Sequence, residues 1–498
     1  MLIRFRVGNY SSFRNRQELS MTVGRTNGHE GHLCHCGGVG FLRAAAIYGA
    51  NASGKSNLIK AIRAMKGFVV RDEKIPNDRF FRPDPSMESE PSYFEVEVGI
   101  GGAIYSYGFE YVISEREVID EWLYRLSIDG ENEVLFQRTG NSIRHTFDGP
   151  DGHRLEVYAE DTVMHGDRLF LNVMGRRARP PEGRLGVFND VYDWFETGLR
   201  FIDTDYPFMP ESLISDGDFD RLNRIISTFG TGINSISYDR KEGLDEILPP
   251  SLIEDLKRDL DLGRGGANVG LGFRRYASVN NYRVSMQDGR IVFDEIVYRH
   301  NDNRVTYRPD EESDGTRRLY GLLASTFAGG DDVTYIIDEL DTSLHPQLTF
   351  RFVGMFLEGG LAGGSQLIFT THESSLMDFQ LLRRDEIWFA EKDDEGRSRL
   401  YSLEDFNERN DRRIEKAYRE GRYGGVPIFS TIYPFGSDHE ADRGEVQRWS
   451  SDNELDHQAQ VHPRLRRLLH RGPVFRGPEE QSRNRRHQQP GRHRAFAA

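Results

Sequence analysis

The most constraining feature of the sequence is a glycine-rich loop between a short apolar segment and an amphipathic one. The loop, residues 49–56, reads GANASGKS and matches the pattern GxxxxGK[ST]. The residues before it, 43–48, suit a buried strand, and the residues after it, 57–65, suit a helix. Such a loop points successive backbone N–H groups at one concavity, where the helix dipole adds partial positive charge. The sequence therefore predicts a binding site for the phosphates of a nucleoside triphosphate.

The side chains of this loop predict which atoms contact the nucleotide. Lys55 can reach the β- and γ-phosphates, and the Ser56 hydroxyl can ligate Mg²⁺. A guanine-reading N/TKxD element is absent, since residues 391–394 read EKDD, so ATP is favoured over GTP. The residues predicted to bind the cofactor through this loop are Gly49, Ala50, Asn51, Ala52, Ser53, Gly54, Lys55, Ser56 and Asn57.

Length and composition restrict the class of protein. A chain of 498 residues exceeds the size at which one core usually stops growing, so two or three substructures are expected. No run approaches the ~18 to 20 apolar residues that a membrane span requires, and residues 1–7 alternate as in a strand rather than a signal peptide. Cys34 and Cys36 are the only cysteines, which excludes a disulfide framework. We therefore expect a soluble, cytoplasmic protein with no membrane partner.

Charge is distributed unevenly along the chain. The formal net charge is −14, yet the segment from residue 461 onward holds ten arginines, no lysine and two glutamates. The chain before that segment is therefore strongly acidic, which disfavours DNA binding through a broad basic surface but leaves a local basic groove possible. The arginine-rich end is predicted to be a solvated, flexible tail, with binding to nucleic acid or an acidic partner left open.

A second apolar segment ends in two carboxylates, as a Walker B motif does. Residues 333–339 read VTYIIDE. At the carboxyl end of a strand beside the glycine-rich loop, Asp338 would hold Mg²⁺, and Glu339 would orient and deprotonate the attacking water. The next apolar segment, 366–371, is followed by His372, which could hydrogen-bond the γ-phosphate because parallel sheets bind ligands at the carboxyl ends of their strands. His345 lacks such a placement and is predicted to be structural.

A polar Ser/Gly turn precedes the Walker B segment. Residues 312–316 read ESDGT, and a helix is predicted over 317–325. The exposed N–H groups of this turn would form a second anion site. One chain cannot easily bring two helix N-termini to opposite faces of one triphosphate. The turn therefore predicts a head-to-tail dimer with ATP between the protomers.

The order of these motifs, GANASGKS, SDGT, IIDE, LDTSLHP and TTH, resembles that of the ABC-class ATPase heads of the RecF, SMC and OLD group. The segments NYSSF, IYGANASGKSNL and RRIEKAYREGRYGG are more similar still to stand-alone bacterial AAA ATPases encoded near phage-defence genes. The resemblance implies an α/β P-loop NTPase of the ABC-head type, with a mixed sheet, an antiparallel β-layer and an inserted helical lobe. It also implies that Ser313 and Gly315 act in trans on the partner's ATP, that Asp341 links the two sites and that His372 is the switch histidine.

The chain departs from that group in three respects. No convincing Q-loop glutamine follows the P-loop, since Gln137 lies in the strand-like LFQR. No heptad register lasts long enough for a coiled coil. A Toprim nuclease domain, which OLD nucleases carry after the ATPase, has no counterpart in the C-terminal part of the sequence. Any nuclease is therefore expected to be a separate protein.

Composition and motif order predict four regions. Strand-like segments at 93–98 and 104–111 indicate an antiparallel hairpin. The predicted regions are an N-terminal ATPase lobe with Walker A and a β-layer at 1–150, an inserted and mainly helical lobe at 151–307, a C-terminal ATPase lobe with the signature, Walker B and switch histidine at 308–435, and the arginine-rich tail at 436–498.

Five metal-ligating side chains crowd into eight residues near the N-terminus, namely His29, His32, Cys34, His35 and Cys36. Zinc is one interpretation of such a cluster. The Cys-x-Cys spacing is not that of a usual zinc knuckle, and no second ligand pair lies elsewhere at zinc-like spacing. A surface loop near the nucleotide is the favoured interpretation.

The leading hypothesis is a cytoplasmic, Mg²⁺-dependent ABC-type ATPase that dimerises around ATP and controls an effector, most simply a nuclease, in anti-phage defence. The alternative is a RecF-like ATPase that binds DNA during repair or maintenance. A transporter cassette is a weaker interpretation, because the Q-loop that contacts membrane domains is missing.

Overall fold

The structure is a computed structural model that describes residues 1–26, 28–127, 130–177, 184–203, 216–241, 249–261, 268–272, 279–287, 290–300, 305–328, 332–359, 361, 363–406 and 414–425. The strands are β1 Leu2–Gly8, β2 Gln17–Ser20, β3 Leu33–Cys36, β4 Val39–Leu42, β5 Ala44–Tyr48, β6 Ser92–Ile100, β7 Ala103–Val112, β8 Glu117–Leu126, β9 Glu133–Thr139, β10 Ser142–His145, β11 Leu199–Ile202, β12 Ile233–Lys241, β13 Asn268–Gly272, β14 Val279–Gln287, β15 Arg290–His300, β16 Thr306–Tyr307, β17 Thr334–Ile337, β18 Gln366–Thr370, β19 Ile387–Lys392 and β20 Ser398–Ser402. The helices are α1 Lys55–Arg71, α2 Gly149–Met164, α3 Phe170–Gly175, α4 Gly186–Asp193, α5 Asp216–Ile226, α6 Pro250–Asp261, α7 Asp314–Ala328, α8 Pro346–Leu357 and α9 Ile414–Arg419.

A six-stranded, mostly parallel sheet carries the predicted motifs. Its strand order is β11-β17-β18-β5-β19-β20, and only the β19–β20 pair is antiparallel. Every residue of β5, β17 and β18 is buried, as expected for parallel strands covered on both faces. The prediction of buried parallel strands at 333–337 and 366–371 is confirmed.

Alternate side chains of β5 pack into two hydrophobic cores, one on each face of this sheet. Ala45 and Ile47 belong to the core that includes α1 and the antiparallel layer. Ala44, Ala46 and Tyr48 belong to the core that includes α7 and α8. The small alanines let both layers approach the sheet closely, which fixes the strand that leads into the glycine-rich loop.

A seven-stranded antiparallel sheet lies against α1. Its order is β10-β9-β8-β7-β6-β1-β2, and it contains the predicted hairpin as β6 paired with β7. Phe68 of α1 contacts this layer through edge-on packing against Phe109 at 5.5 Å and Tyr111 at 4.9 Å between ring centroids. Each such contact adds to the stabilisation from burial alone.

Residues 151–307 hold both helices and strands. They include helices α2 to α6, strand β11 of the central sheet, and an antiparallel sheet in the order β12-β15-β14-β13 with β16 paired to β15. The division of the chain into four regions stays a prediction, and the predicted tail at 436–498 lies outside the described residues. Within the described residues, no helix combines the length and apolar character needed to cross a bilayer.

Candidate active site

Three loops leave the central sheet at one edge. Strand β18 lies between β17 and β5, with Ile337 opposite Phe369 and Thr370 opposite Ile47. Because the three strands are parallel, their carboxyl ends meet there. The sheet therefore brings the glycine-rich loop, the paired carboxylates and the loop of His372 together, as the sequence predicted.

The glycine-rich loop needs its glycines for space as well as for conformation. Gly54 has φ +115°, and a Cβ atom there would lie 2.3 Å from the Ser398 hydroxyl. A Cβ atom at Gly49 would lie 2.4 Å from the carbonyl oxygen of Ala390. Helix α1 begins directly after Gly54, so the free N–H groups of its first turn face the loop, which makes this end of the helix suited to bind an anion.

Lys55 is buried and held over the loop. Its Nζ atom donates hydrogen bonds to the carbonyl oxygens of Gly49 at 2.7 Å and Ala50 at 3.0 Å. Burial lowers the pKa of Lys55, and the negative charges of Asp338, Glu339 and Asp341 partly offset this effect. The ammonium group and the three carboxylates therefore belong to one electrostatic cluster.

Thr370 bonds to both residues of the predicted Walker B pair. Its hydroxyl donates to Asp338 Oδ1 at 2.6 Å and accepts the backbone N–H of Glu339 at 2.7 Å. Glu339 has φ +52°, a left-handed conformation that is uncommon for this residue type. Its side chain is exposed, and Oε2 accepts from the Thr342 hydroxyl at 3.2 Å. The backbone therefore turns sharply just where the predicted base presents its carboxylate.

Asp341 connects the Walker B turn with the loop of His372. The backbone N–H of His372 donates to Asp341 Oδ1 at 3.2 Å. Partial burial and then the charge of Lys55 lower the pKa of His372, while Asp341 and Glu339 act in the opposite direction. His345, predicted to be structural, caps helix α8, because its Nδ1 accepts the N–H of Gln347 at 3.2 Å.

The predicted signature turn opens helix α7 and touches the segment after Walker B. The Ser313 hydroxyl accepts the N–H of Thr316 at 3.2 Å, and its side chain is exposed. A Cβ atom at Gly315 would lie 2.7 Å from the carbonyl oxygen of Ser343. The turn therefore packs directly on the segment that begins at Asp341.

Two serines that the sequence analysis missed support the glycine-rich loop. The Ser398 hydroxyl bonds to the carbonyl oxygen of Ser53 and to the Ser12 hydroxyl, each at 2.7 Å. Asn57, which the sequence predicted to bind the cofactor, donates its side-chain N–H to Ser12 at 2.8 Å. Ser12 belongs to the NYSSF segment, which carries part of the family resemblance but no chemical motif, and Ser398 lies in a strand that carries no motif.

The remaining predicted loop residues follow the same turn. Ala50 and Ser56 are half-buried, Asn51 and Ala52 are exposed, and Ser53 is buried. Ala52 adopts φ +63°. Gln137, whose strand-like setting does not suit a Q-loop residue, lies on β9 opposite Trp122.

The crowded His and Cys residues do not converge. His29 Nε2 lies 2.8 Å from the carbonyl oxygen of Phe379, and His32 Nδ1 lies 3.1 Å from the Glu386 carboxylate. Cys34 and Cys36 are buried side chains of β3. Burial raises the pKa of Cys34 to about 11, which disfavours the thiolate that zinc requires. Within the described part of the chain, no three His, Cys, Asp or Glu side chains form a metal-binding group.

A glycine-rich loop, paired carboxylates and a strand-end histidine at the carboxyl edge of a parallel sheet define a P-loop ATPase of mixed α/β fold. A protein-family model described as "AAA domain, putative AbiEii toxin, Type IV TA system" matches residues 44–156 and 204–378, which is more than half of the chain. The chain belongs to this family of nucleotide-binding ATPases. The matched residues include Lys55, Ser313, Glu339 and His372.

Two solved structures are similar over 80% of this chain. One is an SMC head bound to the C-terminal winged-helix domain of ScpA, with 12% identity, 97% of that chain covered and a TM-score of 0.38. The other is the SMC head domain from Thermotoga maritima, with 15% identity, 98% of that chain covered and a TM-score of 0.35. No curated protein matches the sequence.

Proposed function

We propose that the chain is a Mg²⁺-dependent ATPase that acts as a nucleotide-controlled switch. The observation that carries this proposal is the sheet register, which brings the loop of Lys55 and the carboxylates of Asp338 and Glu339 to one sheet edge as one cluster. The combination of one cation on a glycine-rich loop and carboxylates at the same sheet edge is what phosphate and metal binding require. Other P-loop chemistry, such as phosphoryl transfer to a second substrate, would need an acceptor site beside this cluster.

Each side chain of the cluster has a role in this proposal. Lys55 would exchange its bonds to loop carbonyls for bonds to the β- and γ-phosphates. The Ser56 hydroxyl and the Asp338 carboxylate are oxygen donors of the kind that Mg²⁺ prefers, and the ion would neutralise phosphate charge. Glu339 would accept a proton from the attacking water, while His372 would donate a hydrogen bond to the γ-phosphate.

The dimer belongs to the same proposal. Ser313 is exposed, and Gly315 packs on Ser343 two residues after Asp341. The turn could therefore meet the triphosphate of a second copy while staying tied to its own Walker B segment. In this arrangement Ser313 and Gly315 act in trans, and Asp341 links the two sites.

We further propose that ATP-dependent dimerisation controls a separate effector in anti-phage defence, with a nuclease as the simplest effector. The family description, which names a toxin of a toxin–antitoxin system, supports a defence role. Purification from the native host with neighbouring gene products tests this part directly. A stably bound effector whose activity changes with ATP is the expected result.

The first experiment is the mass in solution of Glu339→Gln with ATP and Mg²⁺, compared with the same variant without nucleotide and with Lys55→Ala. The expected result is an ATP-dependent shift to a dimer or larger assembly that Lys55→Ala does not show. A constitutive oligomer would place the switch inside a preformed assembly. A persistent monomer that still binds ATP would overturn the trans role of Ser313.

DNA is the partner that the alternative hypothesis requires. ATP hydrolysis is therefore measured with and without linear duplex DNA, at two salt concentrations because phosphate contacts depend on salt. No stimulation is expected from the effector hypothesis. Stimulation that falls with rising salt would favour the RecF-like repair function instead.

A further inference from the structure

A short C-terminal segment packs under the glycine-rich loop. We define residues 414–425, which comprise α9 and the turn after it, as the C-terminal clasp. Ile414, Ala417 and Tyr418 of the clasp are buried. The Tyr418 ring stacks on Phe389 at 5.6 Å between centroids and meets the Tyr48 ring edge-on at 6.0 Å. Because Tyr48 is the last residue of β5, the clasp lies where the strand passes into the loop.

The Tyr418 hydroxyl lies between two backbones. It donates to the carbonyl oxygen of Gly425 at 3.1 Å. Burial raises the pKa of Tyr418, and a hydrogen bond from the backbone of Gly49 partly offsets this effect. One hydroxyl therefore connects the first residue of the glycine-rich loop with the last described residue of the clasp.

The two glycines also approach each other closely. A Cβ atom at Gly425 would lie 3.5 Å from the Cα atom of Gly49 and 3.6 Å from the carbonyl oxygen of Ala390. Gly425 has φ +66°, which disfavours any side chain there. Three stretches of backbone therefore meet at Gly49, and the clasp supplies one of them.

The same helix also contacts the loop of His372. Arg419 Nε donates to the Ser374 hydroxyl at 3.0 Å, and that hydroxyl also lies 3.3 Å from Glu415 Oε1. Arg419 and Glu415 form an ion pair of 2.8 Å between themselves. Ser374 is two residues after His372, so one helix contacts both the phosphate-binding loop and the histidine loop.

We infer that the C-terminal clasp positions the nucleotide site. In this inference Tyr418 is the positioning residue for ATP binding, and the Arg419–Ser374 contact positions His372. The inference rests on the proposed ATPase function. The Tyr418 hydroxyl fixes the peptide that precedes the phosphate-binding turn, so its loss lets that peptide rotate before ATP can bind. The Arg419–Ser374 bond affects the rate of hydrolysis rather than the affinity for ATP, because His372 contacts the γ-phosphate in the proposed mechanism.

Tyr418→Phe tests the first role because it keeps the stacked ring and removes only the hydroxyl. One net hydrogen bond corresponds to a change of about tenfold in an equilibrium constant. The dissociation constant of a fluorescent ATP analogue is therefore expected to rise about tenfold, with kcat at saturating ATP changed less than twofold. Ser374→Ala is expected to show the opposite pattern, with kcat lowered and the dissociation constant kept.

Tyr192→Phe is the matched control. Its hydroxyl bonds to the carbonyl oxygen of Val70 at 3.0 Å, near the end of α1 that lies away from the glycine-rich loop, and it is expected to leave nucleotide binding unchanged. Equal effects of the two Tyr→Phe variants, or unchanged binding in Tyr418→Phe, would overturn the inference. Failure of the wild-type chain to bind the analogue would instead overturn the proposed ATPase function.

Discussion

Thr370 shows how a single hydroxyl can organise the two predicted Walker B residues. It is buried at the end of β18 and bonds both to Asp338 and to the backbone of Glu339. Metal ligands are usually held in this way by a neighbouring group that fixes their orientation. The sequence could not identify Thr370, because a threonine at a strand end looks the same whether it packs, caps or bonds across strands.

Replacing Thr370 by valine is expected to lower ATP hydrolysis by about 10- to 100-fold, the range usual for loss of such a supporting group. Valine keeps the shape of the side chain but cannot bond to Asp338 or Glu339. The Mg²⁺ concentration that gives half-maximal hydrolysis is expected to rise in the same variant. Hydrolysis rates are measured over a series of Mg²⁺ concentrations at saturating ATP.

Thr371→Val is the control for this prediction. Thr371 is also fully buried, but its hydroxyl accepts the backbone N–H of Glu373 at 3.0 Å and does not bond to a carboxylate. We expect this variant to keep its Mg²⁺ dependence. If both valine variants shift the Mg²⁺ dependence equally, Thr370 has no specific role in orienting Asp338.

His372 makes the stability of the folded chain depend on pH, and the sign of this dependence follows from the surroundings of the residue. Its pKa is lowered below the ordinary value of 6.5, so the unfolded chain binds a proton more readily than the folded chain does. Stability from this residue is therefore lost as pH falls below 6.5 and is regained as pH rises. The melting temperature is expected to rise more between pH 5.5 and pH 7.5 for wild type than for His372→Gln. Equal gains would contradict the lowered pKa.

Strand β1 joins the central sheet to the antiparallel layer through one buried glutamine. Gln366 of β18 accepts the N–H of Leu2 at 2.6 Å and donates to the carbonyl oxygens of Leu2 at 2.8 Å and Leu42 at 2.9 Å. The side-chain amide thus pairs with three buried backbone groups. Its position in an apolar segment gave no sign of this role, since β1 is more than 360 residues away in sequence.

Gln366→Leu is expected to destabilise the folded state by about 2–4 kcal/mol, because buried backbone groups lose their partners. The measurement is equilibrium unfolding in urea, read from the free energy of unfolding and its denaturant slope. Gln380→Leu, at an exposed position, is the control and is expected to change stability by less than about 0.5 kcal/mol. A loss of similar size in the control would assign the effect to added hydrophobic surface.

Local sequence pattern predicted some elements well and others poorly. The β6–β7 hairpin follows strict alternation, and β17 and β18 are short apolar runs, so both could be recognised. Strand β11 could not, because it is four residues long and lies among helices, and only pairing with β17 makes it a strand. The pairing of β12 with β15 was missed for a related reason, since the paired residues, such as Lys241 and Phe293, are far apart in sequence.

Over the whole chain, motif order predicts a nucleotide site, while the residues that support its loops lie at positions that carry no motif. Lys55, Asp338, Glu339 and His372 were all predicted and lie at one sheet edge. Ser398 and Tyr418 reach the same loop from the C-terminal part of the chain. A motif can be recognised in a sequence because its residues lie close together along the chain. A supporting residue is identified only by contacts that form in the folded chain.

The sandwich arrangement predicts that two inactive variants restore each other when mixed. In a heterodimer of Glu339→Gln with Ser313→Arg, one site would carry both defects and the other would carry none. With random exchange of subunits, half of the dimers are mixed and half of their sites are intact. ATP hydrolysis is therefore expected to recover to about a quarter of the wild-type rate if the sites act independently and the trans contact is needed only in the transition state.

The control mixture is Glu339→Gln with Asp338→Asn. Both residues belong to the same side of one site, since Thr370 of the same chain bonds to both of them. Each site of that heterodimer keeps one defect, so no recovery is expected. Recovery in the first mixture alone means that Ser313 completes the site of the other copy. If neither mixture recovers while each variant alone still forms dimers with ATP, Ser313 acts within its own chain, because only a cis role leaves every site of the first mixture defective.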